Sequence, residues 1–108
     1  MARFRLTHPT DGNLVAEYGF DPFCGWFVEV FMGECEEPLT MYDALQAAYD
    51  HAQPLLGALR FLVKQGFFST ETLDMALYAH TAHQTSSRMS RRVRRVLVVI
   101  ENIKRAAD

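Results

Sequence analysis

The residues with the most capacity for chemistry are two histidines, a short acidic run and a cluster of arginines. His80 and His83 stand three apart, so on a helix they share a face and both could reach one metal ion. Zinc generally needs three or four ligands, and no Cys, Asp or Glu nearby in sequence completes such a set. The expected roles are therefore a hydrogen-bonded histidine at the core edge for His80 and a surface residue for His83, with no metal and no other cofactor. Glu34, Glu36 and Glu37 gather on one loop. Solvated carboxylates ionise far below neutral pH and shuttle protons poorly. Cys24-Gly-Trp26 enters a strand, whereas a reactive thiol needs a setting such as a helix N-terminus to lower its pKa. There is no phosphate loop, dinucleotide fingerprint, serine nucleophile elbow or zinc-ribbon spacing. The expectation is a protein that is not an enzyme.

Charge is distributed unevenly. Over the whole 108 residues the formal net charge is −2. Residues 1–53 hold nine acids against Arg3 and Arg5, a balance of −7; residues 54–108 hold nine bases against four acids, a balance of +5. Halves of opposite sign hint at charged partners. Arg88, Arg91, Arg92, Arg94 and Arg95 fall within one turn-rich octet. On a helix, Arg88, Arg92 and Arg95 line one edge and Arg91 and Arg94 lie towards the other, with Met89, Val93 and Val96 between. Such a set binds phosphate or carboxylate in bidentate fashion. Its plain alternative is a solvated rim, with some arginines paired to acids of the other half.

These groups sit on elements that periodicity predicts. Arg3 to Thr7 alternates, with Phe4 and Leu6 on one face. After a turn at Asp11-Gly12, a second strand puts Leu14, Ala16, Tyr18 and Phe20 on one side. A third strand, Trp26 to Met32, points Trp26, Val28, Val30 and Met32 one way and Phe27 and Phe31 the other. The short connections predict a three-stranded antiparallel meander. Thr40 and Asp43 read as the start of a long helix whose apolar stripe runs from Tyr42 to Val63 through Pro54. Proline removes a helical hydrogen bond and clashes one turn back, so that helix is either kinked or broken at Pro54; the preserved phase favours the kink. Gly66 ends it. Ser69 caps a second helix from Thr70 to about His83, and a third runs from about Arg88 to Ala106. The first two form an αα-hairpin for packing. A DNA-reading helix-turn-helix is disfavoured, because the second helix opens with Glu71 and Asp74 and carries no Arg or Lys.

Strands first and helices after is the α+β class, in a single domain over residues 1–108. Composition excludes a disordered tail and a disulfide scaffold. Cys24 and Cys35, separated mostly by an extended strand, are expected as free thiols. No secretory h-region and no membrane-length apolar run is present, which gives the expectation of a cytoplasmic protein with no membrane partner. The third strand is apolar on both faces. Either helices sandwich the sheet, or one face is left for a partner or a second copy. The expected partner surface is Trp26, Phe27, Phe31, Glu34, Glu36, Glu37 and Asp43, with nucleic acid on the arginine-rich helix as the alternative.

Overall fold

The computed structural model describes residues 2–22, 25–43, 54–82 and 89–106. Strands β1 (Ala2–Thr7), β2 (Leu14–Asp21), β3 (Gly25–Met32) and β4 (Thr40–Tyr42) are followed by helices α1 (Pro54–Lys64), α2 (Thr70–Thr81) and α3 (Arg91–Ala106). The strands form one antiparallel sheet in the order β1-β2-β3-β4. The α+β class stands. None of the described helices is long and apolar enough to cross a membrane.

The register explains the packing. Phe4, Tyr18, Val28 and Tyr42 stand opposite one another across all four strands, and Leu6, Ala16 and Val30 form the next row. These residues face the helices. They pack with Ala58, Leu59 and Leu62 of α1, Phe67 and Phe68 of the α1–α2 connection, Leu73 and Ala76 of α2, and Val93, Val96, Val99, Ile100 and Ile103 of α3. The described helices thus cover one face of the sheet, giving two layers rather than a sandwich. Tyr18 is inside this core, and its hydroxyl accepts a bond from Asn102 Nδ2 at 3.1 Å. Burial raises the Tyr18 pKa, against the opposing pull of Asn102 and Arg95.

The helix termini follow their sequence signals. Gly66 has φ of 85°. Its N–H bonds Val63 O at 2.9 Å and the next N–H, of Phe67, bonds Leu62 O at 3.0 Å, a Schellman ending. A side chain there would also press on His8 Nε2. Ser69 caps α2 by accepting from Thr72 N at 3.1 Å. Ser90 caps α3 by accepting from Val93 N at 3.2 Å.

Three expectations need correction. The meander has four strands, because Thr40–Tyr42 pairs with β3, Tyr42 opposite Val28 and Met41 opposite Glu29. The helix start expected at Thr40 and Asp43 is therefore absent, and Tyr42 begins no helical stripe. The free edge of β3 offered backbone partners, and Tyr42 fits an inner row where Gly57 of α1 leaves space; a Cβ on Gly57 would overlap the Tyr42 ring and hydroxyl. Within α1 the fully covered side chains are Ala58, Leu59 and Leu62, while Leu56 and Val63 are only half-buried. That close approach at Gly57 turns the helix away from the stripe counted through Tyr42. The described helix begins at Pro54, a residue suited to a first turn; the course of the chain just before it lies outside the described residues. Finally, α2 ends at Thr81 and α3 starts at Arg91, both shorter than expected. Cys24, His83 and Arg88 lie outside the described residues.

Candidate functional site

The second face of the sheet carries its own cover. Arg3, Gly19 and Phe27 are in register, so no side chain stands between Arg3 and Phe27. The Arg3 guanidinium lies 4.9 Å from the Phe27 ring centroid. It also donates to Glu17 Oε1 at 3.0 Å and Glu29 Oε1 at 3.2 Å. The hydrogen bond and charge of Glu17 outweigh burial and raise the Arg3 pKa. Val15 and Phe27 are buried on this face although neither belongs to the helix-covered core.

The expected aromatic docking residues therefore separate. Phe27 is 7% exposed and occupied by Arg3. Trp26 points to the helix side, half-buried, with its ring edge-on to Phe20 at 5.4 Å. Only Phe31, half-buried on the second face, stays near solvent together with the acidic loop. Glu34, Glu36 and Glu37 are all exposed, and none pairs with a described residue. Asp43 follows β4 and is half-buried.

The loop's geometry is set from both ends. Gly33 takes φ of 61°. Its N–H bonds Asn13 O at 2.6 Å, tying the loop to the β1–β2 connection. Leu39 N bonds Val30 O at 2.7 Å and leads into β4. Beside the glutamates stand three exposed apolar side chains that sequence reading missed: Met32, Leu39 and Met41, at 45%, 60% and 44% exposure. Their types carried no signal, since a Met or Leu beside a strand usually reads as core. Cys35, within the loop, is an exposed free thiol.

The arginine cluster also divides. Arg91, Arg92 and Arg94 are exposed and bond no described residue. Arg95 is different: its guanidinium donates to Phe67 O at 3.3 Å and to Thr7 O. Burial lowers the Arg95 pKa, partly offset by Tyr18. It fastens β1 and the α1–α2 connection to α3. The acidic loop and the three outward arginines thus face solvent separately; the charge asymmetry of the sequence survives folding.

His80 makes local contacts. Its Nδ1 lies 3.5 Å from Glu101 Oε1, and its Nε2 is 2.7 Å from Lys104 Nζ. Among the described residues no group of three or more His, Cys, Asp or Glu is placed to hold a metal ion.

Comparison of the chain with protein-family models, with curated proteins and with solved structures found no match. The reading of the site rests on its own geometry.

Proposed function

We propose that this protein acts by docking on another protein, as an adaptor, regulator or inhibitor, rather than by catalysis. The observation that carries the reading is the loop between β3 and β4, where three unpaired glutamates stand beside exposed Met32, Leu39 and Met41. Apolar anchors beside a charged rim are the anatomy of a protein interface. The sign of the rim selects a partner with a basic surface, including one that otherwise holds nucleic acid. Trp26 and Phe27 drop out of the docking set, and Phe31 remains at its margin.

A quantitative capture experiment tests this. The triple variant Glu34→Lys, Glu36→Lys, Glu37→Lys should lose the partner bound by the native chain, and Leu39→Asp should weaken it. The triple variant Arg91→Glu, Arg92→Glu, Arg94→Glu should keep it. Partner binding that ignores the glutamates and fails on the arginine variant would overturn the assignment.

The exposed, unpaired state of Arg91, Arg92 and Arg94 favours a second reading, nucleic-acid binding along the start of α3. A mobility shift that weakens steeply with salt and vanishes on the arginine triple variant would support it. No shift at low salt removes it.

A further inference from the structure

A cavity of about 510 Å³ opens where the β1–β2 connection, the α1–α2 connection and the start of α3 meet. That volume lies in the range of small-molecule sites, roughly 300 to 1,000 Å³. Val63, Phe67 and Phe68 supply an apolar wall, while Thr10, Thr70 and Arg92 stand among its polar groups. The lining includes Arg92 and Arg95 but no Asp or Glu among the described residues. Glu71 instead lines the neighbouring groove with Met75 and Arg91.

The two arginines have no counter-charge. Arg92 and Arg95 stand three residues apart on α3, hence on one edge of the helix. The hydrogen bonds of Arg95 go to neutral backbone carbonyls, and Arg92 bonds no described residue. A half-buried guanidinium without a carboxylate is left to be balanced by something outside the chain. Its position does not depend on that something, because Thr7 O and Phe67 O already hold it. The site is thus preorganised: one cation fixed, one free to close, and an apolar wall beside them.

We propose that this cavity binds a small organic anion of the phosphomonoester class, its phosphate at Arg92 and Arg95 and its apolar body against Val63 and Phe68. Two positive charges suit a group that carries nearly two negative ones. The apolar wall favours an organic ester over the inorganic ion.

The test is titration of the full chain with phenyl phosphate, followed by calorimetry and by amide NMR shifts. Inorganic phosphate serves as the charge without the body, and benzyl alcohol as the body without the charge. Phenyl phosphate should bind at least about tenfold more tightly than either, since a charge-assisted bond and a buried ring are each worth about that factor. Shifts should centre on Thr10, Gly66 to Thr72 and Arg92. Arg92→Ala, at an exposed position that leaves the core intact, should weaken binding about tenfold, and Arg105→Ala should not. Absence of binding, equal binding of inorganic phosphate, shifts spread evenly over Arg91, Arg94 and Arg105, or an unaltered Arg92→Ala would each overturn the proposal.

Discussion

The two faces of the sheet bury apolar side chains by different means. On the inner face, Phe4, Tyr18, Val28 and Tyr42 lie under helices and join one continuous core. On the outer face, Phe27 lies under the guanidinium of Arg3, which two glutamates hold in place. Helix cover excludes water over a wide area and makes burial insensitive to salt. An ion-paired arginine covers little more than one ring, and its hold weakens as ions screen it. The same sheet therefore has a permanent face and a conditional one. The acidic loop is on the conditional side's rim, where a partner would meet few fixed neighbours.

Substitutions can break or sharpen this contrast. The largest effect is expected from Phe67→Ala, which empties a fully buried site beneath the helices and should cost about 3–5 kcal/mol in denaturant titrations. Gly57→Ala comes next. It forces a methyl group into the Tyr42 ring and should destabilise by about 1–3 kcal/mol, less whatever helix propensity returns. If Gly57→Ala instead stabilised the protein, the close contact between α1 and β4 would be wrong.

Smaller and more diagnostic is Tyr18→Phe, which removes the bond to Asn102 for about 1 kcal/mol. Burial holds the native Tyr18 pKa above the ordinary 10.0, so the unfolded chain loses this proton first. The associated stability is present below pH 10.0 and falls as pH rises from there through the native pKa. The variant should show a shallower alkaline decline in melting temperature. The smallest change is expected on the outer face. Arg3→Ala should cost less than about 1 kcal/mol at low salt, and the difference should shrink in 1 M salt as screening removes the ion-pair part. An effect of Arg3→Ala as large as that of Phe67→Ala would erase the distinction between the faces.

Much of this fold was legible because alternation is a local property. Phe4 with Leu6, and Tyr18 with Ala16, announce their face within a few residues. Ser69 and Gly66 likewise mark helix ends by their own chemistry. Tyr42 was not legible: a strand of three residues has no measurable period, and its pairing depends on β3. The roles of Arg3 and Arg95 were hidden for a related reason. Arg3 reaches Phe27 only through a register in which Gly19 leaves the gap, and the carbonyls that hold Arg95 leave no trace in side-chain type. The arginine cluster read as one patch, yet its four described members divide into one fastener and three outward charges. In the docking set, the glutamates were visible as charges on a loop, whereas the inward turn of Trp26 followed from packing against Phe20.

The bond between Arg95 and Thr7 spans 88 residues. Its second acceptor, Phe67 O, lies 28 residues before it. A chain emerging from a ribosome can form the β1–β2 hairpin early, but the carbonyls at Thr7 and Phe67 must wait for α3. The inner core is then completed by the last helix made. Until that moment the inner face of the meander is bare, and a nascent chain that stalls before residue 91 presents Tyr18, Val28 and Val30 as an adhesive surface. Slow closure is the cost of non-local contacts. For this chain, the interval between synthesis of the sheet and arrival of α3 is the period of greatest aggregation risk.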